Sequence, residues 1–325
     1  MKLDTASHTQ MNDLIAAAVG IKNRSRDIIL EDGLSKADFE TTGAYGKLNF
    51  LASLPGNNDG MTCSFRVGAG LSQWALGQAC SLMNTLMPYV TKPLMFRLYQ
   101  PEKGMELNIR GIVSAKYAVF DSHSVLETVQ EVLGDDFNIK GHYLDETSLH
   151  LRVTRPEPLE VNGEDLYPGL IISSGDVGNR SLTVQFFLWK QICTNGLVLA
   201  RVSGKVLHKR HLGIYDAADF KASLVDALES FPAFCAQAKE LVDAARKHEL
   251  DDESLKARLA AFGKSVKLSD KENDALKSLT VHYGMTLWGF ANALTEFAQA
   301  ERFDLDDRME IESYAGEMLT ARAAA

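Results

Sequence analysis

The stretch LIISSGDVGNRSLTVQFFLW, residues 170–189, decides the fold of this chain. Its two ends, residues 170–173 and 181–189, are rich in β-branched, aliphatic and aromatic side chains, and the segment between them carries two glycines and an asparagine. This pattern predicts two antiparallel strands joined by a turn. Neighbouring residues of a strand point to opposite faces, so only one of Phe186 and Phe187 is expected to lie in the core.

Strand patterns continue toward the N-terminus, with turn residues between them. Their order lacks the regular alternation with helices that a parallel dinucleotide-binding sheet requires. Residues 155–168 contain three prolines and one glycine, and we expect a loop there. The further predicted strands cover residues 62–67, 94–98, 106–113, 137–143 and 148–153.

The hydrophobic period changes after residue 216. Apolar residues recur at spacings of four, four and three from Phe220 to Phe231, which predicts an amphipathic helix that Pro232 bends or ends. A last long helix is expected over residues 272–302, and its apolar face suits either the core or a subunit contact. The chain is therefore expected to be α+β: a mixed or antiparallel β-sheet core with packed helices, followed by an acidic helical C-terminal region.

We expect three parts along the chain. Residues 1–60 form an N-terminal helix and a loop or extended arm. Residues 61–215 form the α+β core and include a basic strand and loop segment. Residues 216–325 form a helical region that is suited to oligomerisation.

Composition restricts the class of protein. The formal net charge of the 325 residues is −9, and residues 211–325 alone hold 13 basic and 21 acidic side chains. The four cysteines form no CxxC pair, which favours a reducing compartment over a disulfide framework. No apolar stretch approaches the roughly 18 residues of a membrane-spanning helix. These features predict a soluble protein in the cytoplasm of a bacterial host cell, with no membrane partner and no cofactor.

The strongest functional signal is a stretch without acidic residues, from Val177 to Tyr215, which we call the basic segment. It holds six Lys and Arg side chains inside an acidic protein. A local positive field with aromatic neighbours is typical of surfaces that bind single-stranded nucleic acid, and DNA is the expected form. The predicted phosphate contacts are Arg180, Lys190, Arg201, Lys205, Lys209 and Arg210, and the predicted stacking residues are Trp189 and Tyr215.

A second interpretation of the basic segment involves protein partners. Its cations are also suited to a solvated face, or to pairing with the acidic helices after residue 216 in the same chain or in another copy. In that case the protein is an interaction or host-takeover factor whose basic segment binds an acidic partner. Pairing between copies predicts a homo-oligomer.

Signals for catalysis or metal binding are weaker. Cys193, Asn195 and His208 or His211 have the residue types of a nucleophilic hydrolase site, but cysteine at a strand end is commonly a small buried apolar residue. Cys193 with the two histidines falls short of the four ligands of a structural zinc site. The sequence therefore predicts a protein that is not an enzyme and holds no metal, with the Cys193 hydrolase kept as an alternative.

Two further patterns resemble ligand-binding motifs but lack residues that those motifs require. The Gly68-Ala69-Gly70 turn lacks the third glycine and the Lys-Ser/Thr pair of a phosphate-binding loop. The acidic residues between Asp304 and Glu312 lack the spacing of a calcium loop and suit an exposed helix start, where acidic side chains are favoured.

Three segments resemble a known family, the phage- and plasmid-borne proteins that share domain of unknown function 932. They are RGIVSAKY at residues 110–117 with the following DSHSVL, CTNG at residues 193–196 with the following HKRH, and LWGFANALTEF at residues 287–297. The resemblance covers roughly residues 90–315 and implies a context of mobile-element DNA, similar to that of phage single-strand annealing proteins. It implies a DNA-binding oligomer that acts in recombination or strand annealing without covalent chemistry.

Overall fold

The computed structural model contains two β-sheets and a helical C-terminal region. It describes residues 10–30, 38–42, 48–54, 61–67, 81–82, 85–86, 89–102, 107–190, 195–198, 207–209 and 217–320. The helices are α1 Met11–Asn23, α2 Ser122–Leu133, α3 Ala217–Lys247, α4 Asp252–Ser265, α5 Asp270–Tyr283, α6 Leu287–Phe297 and α7 Leu305–Thr320. The strands are β1 Ser25–Leu30, β2 Asp38–Thr42, β3 Leu48–Leu54, β4 Met61–Val67, β5 Leu94–Tyr99, β6 Leu107–Ser114, β7 Asn138–Leu144, β8 Ser148–Thr154, β9 Leu159–Val161, β10 Glu164–Gly175, β11 Leu182–Lys190, β12 Asn195–Val198 and β13 Leu207–Lys209.

The first sheet has the strand order β1-β5-β6-β4-β3-β2. Its neighbouring strands are antiparallel except β4 and β6, which are parallel. Strand β1 pairs with β5 along its whole length, so the loop or arm expected there is wrong for Ser25–Leu30. The charged pair Arg26 and Asp27 hides this short strand in the sequence, and Asp27 is in fact held by Arg97 of β5 at 3.1 Å.

The second sheet is antiparallel and has the strand order β12-β11-β10-β8-β7, with β9 on β10 and β13 on β11. It confirms both predicted hairpins, since β7 pairs with β8 and β10 pairs with β11. The loop expected over residues 155–168 is wrong, because β9 and the start of β10 form a small hairpin there. Asn162 and Gly163 have φ angles of 50° and 79°, which permits a two-residue turn between these strands.

Both faces of the second sheet are buried around Phe186 and Phe187 of β11. Phe186 is on the face that packs against α3, where its ring stacks on Phe234 with 4.6 Å between centroids. Phe187 points to the other face and joins a separate apolar cluster with Ile171 and Trp189. Phe186 and Phe187 therefore do point in opposite directions, but both are buried, at 1% and 0% exposure, because each face has its own apolar contacts.

The C-terminal region is helical, as predicted, but its helix boundaries differ from those expected. Helix α3 continues through Pro232 to Lys247. The helix expected over residues 272–302 is two helices, because Gly284 has a φ of 96° and Thr286 caps the second one by accepting the Gly289 N–H at 3.0 Å. The overall α+β class is confirmed.

Helix α6 belongs to the intramolecular core. All of its residues except Glu296 are buried. The apolar face of α3 is covered in the same way, since Phe220 and Leu224 are fully buried. The buried residues of these faces therefore belong to the core of one chain, and oligomerisation of the helical region stays a prediction. Among the described helices, none has both the length and the apolar character that crossing a bilayer requires.

Candidate functional site

The basic segment runs through β11, β12 and β13. The side chains of Arg180, Lys190 and Trp189 lie in the part of the chain that the structure describes. The backbone of Lys209 lies in β13, opposite Leu182 of β11. The other predicted contacts lie outside the described residues, and they are Arg201, Lys205, Arg210 and Tyr215.

Arg180 contacts the acidic C-terminal region of its own chain. Its guanidinium forms an ion pair with Asp306 of α7, and Nη1 lies 3.7 Å from the Met309 sulfur. The Arg180 side chain is only 19% exposed. This contact is of the kind expected in the second interpretation, in which the cations pair with the acidic helices. Any phosphate at Arg180 has to compete with Asp306.

Lys190, at the end of β11, lies in a cluster of polar and aromatic side chains. Its Nζ donates to Glu164 Oε1 at 2.9 Å and to Asn292 Oδ1 at 3.4 Å, and it lies 5.3 Å from the centre of the Tyr283 ring. The Lys190 side chain is 13% exposed. Strand β12 begins beside it, with Asn195 paired to Lys190 in the sheet register.

Glu164 is the centre of this cluster. Besides Lys190, it accepts the Trp288 indole N–H on Oε2 at 3.2 Å and forms an ion pair with Arg246 through the same oxygen. Burial acts to raise the pKa of Glu164, but the hydrogen bond and charge of Lys190, together with Arg246, hold it below its ordinary value. Glu164 is therefore an anion that accepts hydrogen bonds from Lys190 of β11 and Trp288 of α6 and pairs by charge with Arg246 of α3. We call these three partners, Lys190, Arg246 and Trp288, the Glu164 cradle.

Trp189 points to the opposite face of the second sheet from Lys190. Its ring meets Tyr167 edge-on with 6.3 Å between centroids, and Lys140 Nζ lies 4.9 Å from the Trp189 ring and 5.3 Å from that of Tyr167. Trp189 is 8% exposed, whereas Tyr167 and Lys140 are partly exposed. Burial lowers the pKa of Lys140. An aromatic pair with a cation therefore occupies one end of this sheet face.

The first family-like segment contributes to a buried ionic network between the sheets. Arg97 of β5 donates both Nη atoms to the carboxylate of Asp121, at 2.7 and 2.8 Å. Arg110 of β6 contacts the same carboxylate at 3.5 Å and Asp176 Oδ2 at 3.4 Å. The two arginine side chains are 1% and 2% exposed. Burial opposes ionisation of Asp121, but the hydrogen bond and charge of Arg97 hold its pKa below the ordinary value.

Asp176 joins this network to helix α2. It follows β10, and its Oδ1 accepts the Ser122 backbone N–H at 2.9 Å and the Ser122 hydroxyl at 2.7 Å. Burial, followed by the negative charge of Asp121, raises the pKa of Asp176 to about 6. Arg97 also donates to the Asp176 backbone carbonyl. The network therefore links β5 and β6 of the first sheet to the turn between β10 and β11 of the second.

A second buried group has the residue types of a catalytic relay but no access to solvent. His150 Nδ1 and Ser173 Oγ are 2.8 Å apart, and Arg152 Nε donates to His150 Nε2 at 3.2 Å. Arg152 also forms an ion pair with Glu312 of α7. Burial, with the charge of Arg152, lowers the pKa of His150 well below its ordinary value. These residues are at most 4% exposed, so the group fixes α7 to the sheet.

The residues of the Cys193 hydrolase alternative are not brought together by the part of the chain that the structure describes. Cys193 and His211 lie outside it. Asn195 pairs with Lys190 at one end of β11, and His208 pairs with Thr183 near the other end. Seven residues of strand separate these positions by about 23 Å, which is too far for one site.

Metal binding finds no support in the described part of the chain. Its residues contain no group of three or more His, Cys, Asp or Glu side chains that could hold a metal ion. The acidic cluster begins α7 instead: Asp304 Oδ1 accepts the backbone N–H groups of Asp306 and Asp307 at 2.9 and 3.1 Å. That confirms the helix-start interpretation. The Gly68-Ala69-Gly70 turn lies outside the described residues.

Several residues of these clusters were missed by the sequence reasoning. Glu164 follows Asn162-Gly163, a hairpin signal that the three neighbouring prolines obscured. Arg97 stands inside the apolar run LMFRLY, and a charge in such a run indicates a buried ion pair. Arg246 and Tyr167 carry no comparable local signal, because their roles depend on distant elements.

Comparison with known proteins agrees with the resemblance in the three segments. Residues 110–323 match the family model described as Domain of unknown function (DUF932). Comparisons with curated proteins and with solved structures found no match. The matched range begins at Arg110 of the buried ionic network and includes the whole second sheet and all five C-terminal helices. Because the match covers more than half of the chain, the protein belongs to the DUF932 family.

Proposed function

We propose that this protein binds single-stranded nucleic acid, with DNA as the expected form, and acts without covalent chemistry in recombination or strand annealing in the cytoplasm of a bacterial host. The observation that carries the proposal is the group formed by Trp189, Tyr167 and Lys140 on the face of the second sheet opposite Phe186. Trp189 stands on β11 inside the basic segment, and Tyr167 is its partner in the sheet register on β10.

The physical reason is that single strands need two kinds of contact. Lys and Arg neutralise the phosphates, and aromatic rings on a sheet face stack on the exposed bases. Tyr167 and Lys140 add a ring and a cation that the sequence reasoning did not include. The cations at Arg180 and Lys190 are already paired, so Arg201, Lys205, Lys209 and Arg210 are expected to make the stronger contribution to affinity.

A binding measurement at two salt concentrations tests the proposal. We expect the affinity of a labelled oligothymidylate to fall steeply between about 50 and 200 mM salt, because each phosphate contact releases counterions. The double variant Lys209→Glu/Arg210→Glu should weaken binding at least tenfold at about 50 mM salt. Lys239→Glu/Lys256→Glu changes the charge equally at exposed positions of α3 and α4 and should leave binding nearly unchanged.

The interaction-factor function is favoured by one specific observation, the ion pair between Arg180 and Asp306. It is a contact of the basic segment with a carboxylate on an acidic helix. If an acidic protein is the partner, a polyglutamate peptide should bind the protein while oligothymidylate does not. The reverse result favours the nucleic-acid function.

A further inference from the structure

The Glu164 cradle has the features of an anion-binding site that the protein fills with its own carboxylate. Lys190 Nζ reaches one oxygen of Glu164 at 2.9 Å, and Trp288 Nε1 reaches the other at 3.2 Å, together with Arg246. The donors come from three separate elements and converge on one point. Arg246 and Lys190 are charged donors, the kind that form the strongest hydrogen bonds to carboxylates and phosphates.

The two cations are positioned by aromatic rings as well as by Glu164. Lys190 Nζ lies 5.3 Å from the centre of the Tyr283 ring, and the Arg246 guanidinium carbon lies 5.8 Å from the centre of the Trp288 ring. Cation–π contacts of this kind persist when the anion changes. The cradle is therefore expected to keep its shape if Glu164 leaves and another anion enters.

The bound carboxylate leaves donors of Arg246 unused. Arg246 Nε and Nη2 are buried without a hydrogen-bond partner among the described residues, although Nη2 forms the ion pair with Glu164. A carboxylate offers two oxygens, whereas the phosphate of a nucleic-acid backbone also offers ester oxygens as acceptors. An ordered water at Arg246 Nε is the simplest alternative partner. A phosphate would satisfy the same donor directly.

Glu164 is placed so that it can be exchanged. It follows the two-residue turn of the β9–β10 hairpin, and its side chain is 27% exposed, while those of Arg246 and Lys190 are 23% and 13% exposed. Rotation of one side chain would open the cradle without a change in the sheet. A fully buried carboxylate such as Glu312, at 0% exposure, has no such freedom.

We propose that the Glu164 cradle is a phosphate site for the nucleic-acid backbone, and that Glu164 is a built-in competitor which weakens binding until a strand displaces it. This inference rests on the proposed function and adds Arg246, Trp288 and Glu164 to it. Two of the three family-like segments meet here, because Trp288 and Asn292 belong to LWGFANALTEF and Lys190 pairs with Asn195 of CTNG.

The test compares Glu164→Gln with Glu160→Gln. Glu160 is exposed on β9 of the same hairpin and makes no ion pair among the described residues, so it matches the charge change without touching the cradle. We expect Glu164→Gln to bind oligothymidylate about tenfold more tightly than the wild type at about 50 mM salt, because a competing charge is removed. Glu160→Gln should change affinity less than about threefold.

Further measurements distinguish failure of the cradle inference from failure of the proposed function. If wild-type protein binds the strand but Glu164→Gln and Glu160→Gln behave alike, the cradle inference is wrong and the proposed function stands. If wild-type protein does not bind the strand, the proposed function fails. Inorganic phosphate then tests whether the cradle binds phosphate at all: it should raise the melting temperature of Glu164→Gln more than that of wild type, and equal shifts overturn the inference. If Glu164→Gln does not fold, Lys190→Gln replaces it and should reduce strand binding; unchanged binding overturns the inference.

Discussion

Arg152 and Glu312 form a bidentate ion pair, in which Nη1 and Nη2 of the arginine lie 3.0 and 2.7 Å from the two carboxylate oxygens. The side chains are 5% and 0% exposed, and the residues are 160 positions apart in the sequence. The pair joins β8, inside the second sheet, to α7, the last described helix. It is one of the contacts that hold the C-terminal helix to the second sheet, on the face opposite Phe186.

Loss of the Arg152–Glu312 ion pair should lower the stability of the fold. Glu312→Ala leaves Arg152 buried without its partner, and the free energy of unfolding is expected to fall by about 3–5 kcal/mol. Urea denaturation followed by circular dichroism measures the change. Glu310→Ala, on the same helix but exposed, is the matched control and should cost less than about 0.5 kcal/mol. A similar loss in the two variants would contradict the role of the pair.

Asp176 should make stability depend on pH in the direction opposite to most carboxylates. Its pKa is raised to about 6 in the folded protein, so the native state binds more protons than the unfolded state between about pH 4 and 6. Its contribution to the free energy of unfolding therefore falls as pH rises through this range. Asp121, whose pKa is lowered, contributes in the opposite direction below about pH 4.

The variant Asp176→Asn isolates this effect, because the amide does not ionise. As pH rises from about 4 to 7, wild-type protein should lose stability relative to the variant by about 2–3 kcal/mol. Denaturation midpoints of the two proteins, measured across this range, provide the comparison. Parallel pH profiles for wild type and variant would show that Asp176 does not titrate there.

Two glycines should respond oppositely to the same substitution. A Cβ at Gly289 would lie 1.9 Å from the Gly284 carbonyl oxygen, so Gly289→Ala forces apart the junction of α5 and α6. The free energy of unfolding should fall by about 1–3 kcal/mol, as for overpacking of a core. Gly20, inside α1, has no atom within 4 Å of the added carbon. Gly20→Ala should stabilise the protein by about 0.5–1 kcal/mol. Thermal unfolding measures both, and equal shifts would refute the packing argument.

Tyr167 should contribute to strand binding through stacking. Tyr167→Ala removes a partly exposed ring beside Trp189 and Lys140, and we expect oligothymidylate affinity to fall by roughly 5- to 100-fold, the range for one base–aromatic contact. The loss should be similar at low and high salt, because stacking releases no counterions. Tyr89→Ala removes a tyrosine that is 82% exposed and should leave affinity unchanged. Equal effects of the two variants would exclude a binding role for Tyr167.

Much of the fold was predictable because its signals are local. The hairpin around Asp145 follows from alternating residues that flank polar turn residues, and the structure confirms it, with Asp145 Oδ1 accepting the N–H groups of Thr147 and Ser148 at 2.8 Å. The helix from Phe220 to Phe231 is predictable from the spacing of its apolar residues. Its continuation through Pro232 is not predictable, because tertiary packing of α3 outweighs the tendency of proline to end a helix.

The candidate site was predictable only in part. The basic segment is a compositional signal that includes Lys190 and Trp189, and the structure extends the strand predicted over residues 181–189 to include Lys190. That these two residues lie on opposite faces follows from strand geometry, but their partners do not. Glu164, Arg246 and Tyr283 come from different elements, and only the folded chain brings them to Lys190.

Strand binding by wild-type protein is the decisive test of whether the protein binds single-stranded nucleic acid through the basic segment. The measurement is the affinity of a labelled oligothymidylate at about 50 and 200 mM salt, with Lys209→Glu/Arg210→Glu alongside. We expect binding by wild-type protein to weaken at least tenfold at the higher salt, and binding by the variant to be lost or strongly reduced. No binding by wild-type protein at about 50 mM salt, or equal binding by wild type and variant, would contradict it.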